Sequence, residues 1–163
     1  FYANLKLFEN YYQDKWFPYT MPISDIYGLR AALDNIAADR EILKRHFIIA
    51  DSTRKTLQAA GLKLHQKSGF SNTVTVFDVP KNVRTEWVLD KMKQEYSIML
   101  AGSFDELAGK VIRIGHMGTN ATVSNMIETF KALDHVLRQL GVQLHVPMDE
   151  YFLKMINQSS ALS

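Results

Sequence analysis

The spacing of apolar residues changes once along this chain, at Gly61, and this change limits the folds open to it. From residue 22 to residue 60, apolar side chains recur every three or four positions, which is the spacing of one helix face. Pro22 suits a first helical turn, and Gly61 suits the left-handed residue after a helix end. We therefore predict a helix over 22–60, bent or built from two pieces, because typical globular helices reach only about 20 residues. Its predicted apolar stripe comprises Ile26, Leu29, Leu33, Ile36, Leu43, Phe47, Ala50 and Leu57.

After that glycine, short strands alternate with helices. Residues of β-branched and aromatic type predict strands at 73–79 and 111–115, and we predict a third strand at 97–100. The intervening patterns predict helices over 84–95 and 121–140. Few strands separated by helices favour an α/β chain of the α+β, two-layer sandwich type. We expect a small, mainly antiparallel sheet with helices on one face, preceded by the long connecting helix.

The composition excludes several classes of protein. Of the 163 residues, 47% are apolar and 22% are charged, so the chain can bury a core and is not disordered in composition. The net charge of +2 gives little support to nucleic-acid binding. No apolar run approaches the roughly 18 residues of a membrane span and no signal peptide opens the sequence, so we expect no membrane partner and a cytoplasmic location. Without cysteine, the chain has no disulfide bond and no thiolate metal ligand.

Two short sequences echo one another, LQAAGLKLH at 57–65 and LRQLGVQLH at 137–145. Each has a helical pattern, then Gly, and then a short apolar and polar alternation that ends in His. We interpret both as helix C-caps that run into extended segments.

Arg113 is the most informative polar residue, because it lies at the centre of a predicted strand. Alternation along a strand puts Ile112, Ile114 and His116 on one face, and Val111, Arg113 and Gly115 on the other. A guanidinium in a strand needs an anionic partner, and its planar fork suits a carboxylate or a phosphate. Two interpretations stay open: a ligand-binding arginine, or a partly exposed arginine paired with a nearby Asp or Glu.

The other polar residues form no recognisable site. No Gly-rich phosphate loop follows a predicted strand. The histidines lack metal-ligand spacing, so we expect surface or capping roles for them and no metal. They are His46, His65, His116, His135 and His145.

Two stretches of the chain resemble class V aminotransferases, which are pyridoxal-phosphate enzymes of fold type I. VIRIGHMGTNAT (111–122) precedes a predicted helix and is similar to the C-terminal region of the alanine–glyoxylate and serine–pyruvate branch. FPYTMPISDIYGLRAALDNI (17–36) resembles that family's Tyr-Thr-Pro segment, which leads into a long helix. The two motifs occur in the family's order, and the resemblance covers roughly residues 1–142. It implies a transaminase that moves an amino group between an amino acid and a 2-oxo acid.

The resemblance also implies roles for single residues. Arg113 would bind the α-carboxylate of the substrate. Thr20 would reach the phosphate of pyridoxal 5′-phosphate in the neighbouring subunit of a homodimer, with Tyr19 beside it as a second cofactor-binding residue. The family often has a tyrosine three residues before this threonine, which also contacts the phosphate. This chain has Phe17 there, which has no hydroxyl.

The resemblance further implies that the catalytic residues lie elsewhere. The family's Schiff-base lysine, the aspartate on the pyridine nitrogen and the aromatic residue on the ring belong to a larger N-terminal domain. We therefore expect no catalytic residue in this chain and no activity from it alone, and Lys6 and Lys15 are not candidates for that lysine. The expected parts are a linker from the missing domain at 1–21, the small C-terminal domain at 22–145, and a tail at 146–163 that is helical in part.

A second hypothesis is a non-catalytic α/β ligand-binding or regulatory module. It predicts a natural start near Phe1, whereas we expect a piece of a longer protein because the sequence does not begin with Met. It also predicts a closed, polar outer face of the sheet. The aminotransferase hypothesis predicts instead that the aromatic linker is left exposed in the isolated chain. The linker residues concerned are Trp16, Phe17, Tyr19 and Met21.

Overall fold

A computed structural model of the chain describes residues 3–160. The chain forms two compact units, Phe1–Arg40 and Glu41–Ser163, and each is described by itself. The first unit contains a 3₁₀ helix at Leu5–Phe8 and the helices α1 (Tyr11–Asp14) and α2 (Ile23–Ala38). None of its described side chains is buried. The described part of the first unit therefore has no core of its own.

The second unit contains strands as well as helices. In chain order these are α3 (Ile42–Ala59), β1 (Val74–Asp78), α4 (Thr85–Tyr96), β2 (Val111–Gly115), α5 (Val123–Gln139) and α6 (Met148–Ser160). Short 3₁₀ helices occur at Asp105–Leu107 and Gly118–Asn120. Four predicted elements are confirmed as β1, α4, β2 and α5, with ends that differ by two residues at most.

The predicted helix over 22–60 is two helices, α2 and α3. Asp39 leaves the helical region with φ −95° and ψ 89°, and Glu41 precedes α3 with φ −96° and ψ 3°. In α3 the predicted stripe is confirmed at Ala50 and Leu57, which are buried, and is wrong at Leu43 and Phe47, which are 82% and 55% exposed. The buried face of α3 consists of His46, Ile49, Ala50, Ser52, Thr53, Arg54, Thr56 and Leu57.

The helices α3 and α5 end in the same way, as the two echoing sequences predict. Gly61 has φ 87° and Gly141 has φ 81°, so both glycines take the left-handed conformation. Leu62 donates its N–H to the Leu57 carbonyl at 2.9 Å, and the residue after Gly141 makes the equivalent bond, also at 2.9 Å. This is the hydrogen-bond pattern of a glycine C-cap, so the interpretation of the echo is confirmed.

The strands β1 and β2 pair in antiparallel fashion, with Val76 opposite Arg113. Each strand also makes one isolated bridge on its outer edge. Leu64 bridges to Phe77 in β1, and Ala101 bridges to Arg113 in β2. The two-stranded sheet is therefore flanked on both sides by single backbone pairs.

The predicted strand at 97–100 is wrong, because none of these four residues pairs with the sheet. The next residue, Ala101, is the first that does. Ser97 takes a left-handed conformation with φ 57°, and Ile98 donates its N–H to the Met92 carbonyl at 3.1 Å. These residues complete the end of α4 before the chain can run beside β2.

One face of the sheet packs against helices. Thr75, Phe77, Ile112 and Ile114 share that face and are buried. Helix α6 lies against α3 and α5, and α5 lies against α4. The rings of Phe130 and Phe152, 5.2 Å apart, join α5 to α6. These contacts confirm the predicted α+β class, with a small antiparallel sheet and helices on one face. Within residues 3–160, no helix is long and apolar enough to cross a membrane.

Candidate functional site

Arg113 occupies the middle of β2, on the face opposite the core. Its neighbours Ile112 and Ile114 are buried, whereas Arg113 itself is half-buried and Gly115 is exposed. Residues 112–115 follow the alternation that the sequence predicts, whereas Val111, on the same face as Arg113, is buried, as is Val76 opposite Arg113 in β1. The backbone of Arg113 belongs to a paired strand, while its side chain lies on the face opposite Ile112 and Ile114.

Arg113 is hydrogen-bonded to Ala101 and Gly102, which run beside β2. The Arg113 N–H donates to the Ala101 carbonyl at 2.7 Å, and the Ala101 N–H donates to the Arg113 carbonyl at 3.2 Å. The guanidinium Nε–H donates to the Gly102 carbonyl at 2.6 Å. Among residues 3–160, no carboxylate pairs with Arg113, and its two terminal nitrogens have no acceptor. The described part of the chain therefore gives no support to the interpretation that Arg113 pairs with a nearby Asp or Glu.

The turn after β2 is anchored by a histidine from α3. His46 donates its Nδ1–H to the Ile42 carbonyl at 2.7 Å, and its Nε2 accepts the Gly118 N–H at 3.2 Å. A ring that accepts at Nε2 carries its one proton on Nδ1, so this arrangement requires neutral His46. His46 is buried, so the surface or capping role predicted for it is wrong.

His116, the first residue after β2, is also buried and not on the surface as predicted. Its Nε2 lies 2.8 Å from the Thr75 hydroxyl oxygen of β1, and the residue is 0% exposed. Burial lowers the pKa of the His116 imidazole below its ordinary value, and the nearby positive charge of Arg54 acts in the same direction. Strand alternation gave the signal for this burial, because it places His116 on the core face together with Ile114.

A cleft of ≈ 390 Å³ opens beside the end of β2. It is lined by residues 97–100, by Ile114 and Gly115 of β2, and by polar side chains near the start of α5. Those polar residues are Asn120, Asn125, Glu128 and Thr129. Amide, hydroxyl and carboxylate groups therefore lie beside the strand that carries Arg113. Within residues 3–160, no group of three His, Asp or Glu side chains is arranged to hold a metal ion.

The predicted cofactor-binding residues belong to the first unit. Thr20 is exposed and lies outside any helix, and Tyr19 is half-buried with its ring 6.3 Å from that of Phe8. Phe17, which takes the place of the family's tyrosine, packs edge-on against Phe8 at 5.3 Å and Tyr11 at 5.6 Å. Tyr19 and Thr20 are thus brought together in one unit, and Arg113 is in the other.

The first unit also exposes much apolar surface. Trp16 is 61% exposed, Met21 is 42% exposed and Phe17 is 39% exposed, whereas Tyr19 is half-buried. Helix α2 adds further exposed apolar side chains, namely Ile23, Ile26, Tyr27, Leu29, Leu33 and Ile36. Three of the four predicted linker residues are therefore exposed.

No protein-family model matches the chain. The fold is nevertheless that of part of an aminotransferase: it superimposes on the pyridoxamine–pyruvate aminotransferase of Mesorhizobium loti with a TM-score of 0.83 and 28% identity. That likeness covers 95% of this chain and 41% of the other.

Two relatives show the same likeness in sequence. An uncharacterised aminotransferase of Methanocaldococcus jannaschii is 32% identical over 148 residues, which are 88% of this chain and 38% of the relative. Serine–glyoxylate aminotransferase of Arabidopsis thaliana is 34% identical over 130 residues, 77% of this chain and 32% of the relative. The chain belongs to the family of these aminotransferases, and it spans 32–41% of their length.

Proposed function

We propose that this chain is the small C-terminal domain of a class V, pyridoxal-phosphate-dependent aminotransferase, and that Arg113 binds the α-carboxylate of its substrate. The transfer runs between an amino acid and a 2-oxo acid, and both carry that carboxylate. The observation that supports this proposal most directly concerns Arg113. It lies on a paired strand, and its terminal nitrogens have no acceptor among residues 3–160. No observation favours the alternative of a non-catalytic module.

The chemistry of Arg113 suits this role. A guanidinium presents parallel N–H donors that match the two oxygens of a carboxylate, and it stays charged at every physiological pH. Because β2 is part of the core, the charge is held at a fixed place and the bound substrate is oriented with it. Gly115, two residues further on the same face, has no side chain, and a Cβ there would lie 4.0 Å from Met117 Cε.

The proposed cofactor contacts are Thr20, through its hydroxyl, and Tyr19. The exposed Thr20 hydroxyl in an irregular segment suits a phosphate oxygen, which accepts hydrogen bonds strongly. Pyridoxal phosphate, when bound, supplies the electron sink for amino-group transfer. The resemblance assigns Thr20 to the phosphate of the neighbouring subunit, so the proposal includes a homodimer. The chain's own part in the reaction is to bind and orient, and we expect the isolated chain to be inactive.

The proposed division of the chain is a linker at 1–21, the small domain at 22–145 and a tail at 146–163. The exposed apolar side chains of α2 and of the linker support the presence of a larger domain that covers them in the parent enzyme. The proposed location of that enzyme is the cytoplasm.

The proposal is tested with Arg113→Lys and Arg113→Ala in the full-length enzyme. The amino donor is titrated while the absorbance of the bound cofactor is followed. We expect Arg113→Ala to weaken donor binding by a factor on the order of a hundred, and Arg113→Lys not to restore it, because lysine lacks the planar fork. Cofactor affinity and thermal stability should stay near those of the parent.

Arg84→Ala is the matched control, because it removes an exposed arginine outside the proposed site, one that lies near Glu86 and the Trp87 ring. It should bind the donor like the parent enzyme. If both Arg113 variants bind the donor like the parent, or if both unfold, Arg113 is a structural arginine and the proposal is wrong.

A further inference from the structure

Gly102 joins the Arg113 guanidinium to helix α4. Its carbonyl accepts the Nε–H of Arg113 at 2.6 Å. A Cβ atom placed on Gly102 would lie 3.5 Å from Thr85 Cγ2 and 3.6 Å from Leu89 Cδ1. Thr85 is buried in the first turn of α4, and Leu89 is half-buried one turn further on. The carbonyl that holds the guanidinium therefore belongs to a residue packed against a regular helix.

This hydrogen bond decides which part of the guanidinium is left for a ligand. Arginine has five N–H donors in one plane, and a carboxylate takes two of them in parallel. The Nε–H of Arg113 is committed to Gly102. A carboxylate that approached from the side, through Nε and one terminal nitrogen, would have to displace that carbonyl. The pair left free is formed by the two terminal nitrogens.

We propose that Gly102 is a positioning residue for Arg113, and that it leaves the substrate carboxylate to be bound end-on by Nη1 and Nη2. The inference rests on the proposed function of Arg113 and adds how the guanidinium is oriented. Free arginine side chains have many rotamers, and ordering them on binding costs affinity. The ladder to Ala101 fixes the backbone of Arg113, and the Gly102 carbonyl fixes the plane of its side chain. The ligand then meets a fork that is already ordered.

The test compares two substitutions at Gly102 in the full-length enzyme. Gly102→Ala adds one carbon at an ordinary contact distance from α4 and is the matched control. Gly102→Val adds two further methyl groups against Thr85 and Leu89, which forces the backbone at residue 102 to move. We expect the KM for the amino donor to rise about tenfold in Gly102→Val and to stay within about twofold in Gly102→Ala. The kcat at saturating donor and the cofactor affinity should not change, whereas the melting temperature of Gly102→Val should fall, because overpacking costs stability.

A double variant separates positioning from a general structural effect. If Gly102 acts through Arg113, adding Gly102→Val to Arg113→Ala should raise the donor KM no further than Arg113→Ala alone does. A Gly102→Val effect that persists in full in the double variant overturns the inference, as does a parental KM in Gly102→Val. If Arg113→Ala itself has a parental KM, the proposed function of Arg113 is what has failed, and this inference with it.

A second variant reaches the same carbonyl from the helix, so a Gly102→Val enzyme that fails to fold does not end the test. Leu89→Phe enlarges the side chain that packs against Gly102 and displaces its carbonyl from the helix side, while residue 102 itself stays a glycine. We expect the same rise in donor KM, with the same loss of effect when Arg113→Ala is present. A Leu89→Phe enzyme that folds and keeps the parental KM overturns the inference.

Discussion

The Nε2 of His46 accepts the backbone N–H of Gly118 at 3.2 Å, across 72 residues of sequence. This bond connects helix α3 to the turn that follows the arginine-bearing strand. Gly118 has φ 58° and begins the short 3₁₀ helix before α5, so the bond holds a tight turn at its first residue. The histidine therefore stabilises the backbone immediately beyond β2.

His46→Ala should loosen this turn, because it leaves the Gly118 N–H without its acceptor. We expect a loss of about 0.5–1.5 kcal/mol in the free energy of unfolding, the net contribution of a typical intramolecular hydrogen bond, because Gly118 is exposed and water can replace the acceptor. The hydrogen-exchange rate of the Gly118 amide in the full-length enzyme is the local measurement, and it should rise at least tenfold. Leu43→Ala, at an exposed position of the same helix, is the control. Unchanged exchange at Gly118 would show that the turn does not depend on His46.

His116 should make the stability of the domain depend on pH. Burial keeps its pKa below the ordinary value, so between the two pKa values the unfolded chain binds a proton that the folded chain does not. Stability is then complete above about pH 6.5, the pKa of an unfolded histidine, and falls as the pH is lowered through that value. We expect His116→Gln to reduce this fall, measured as urea midpoints at a series of pH values from 8 to about 5. An identical pH profile in parent and variant would exclude His116 as its source.

Gly61 and Gly141 offer a comparison between two similar helix ends. A Cβ on Gly61 would lie 2.8 Å from the His145 ring, whereas a Cβ on Gly141 meets nothing within 4 Å. Gly141→Ala should cost about 1–2 kcal/mol for the left-handed conformation alone, and Gly61→Ala should cost more. Adding His145→Ala to Gly61→Ala should remove the excess. Equal costs for the two glycines, measured by urea unfolding, would show that the His145 ring moves aside freely.

The first unit should make the separate chain self-associate. None of the side chains described in the first unit is buried, and many of its apolar side chains are exposed. We expect the chain of residues 1–163 to form concentration-dependent dimers or larger species in analytical ultracentrifugation. The chain from Glu41 onward has its own core and should sediment as a monomer. A monomeric 1–163 chain at all concentrations would contradict this expectation.

Local patterns predicted the elements whose causes are local. β2 was predicted at its observed bounds because a run of β-branched residues is followed by glycine. The two glycine caps were predictable for the same reason. The sequence pattern also placed Arg113 on the face away from the core, which is the observation that carries the candidate site.

What the sequence did not reveal depends on distant contacts. Residues 97–100 have a pattern suited to a strand, but the N–H groups of Ser97 and Ile98 donate to carbonyls in the last turn of α4. The anchor that His46 provides joins positions far apart along the chain, so no spacing within α3 indicates it. The same holds for the Gly102 carbonyl on Arg113, since the pairing of Ala101 with β2 brings them together.

The lack of buried side chains in residues 3–40 bears on how sequence variants of this protein are to be judged. Leu57 is fully buried in the second unit, so a variant there should show its cost in any assay that contains this chain. Leu33 is 54% exposed, and a variant there would appear neutral in the separate chain whatever it does in the parent enzyme. A mutational scan of the separate chain would therefore score α2 as tolerant, because such a scan records only the contacts that α2 makes within that chain.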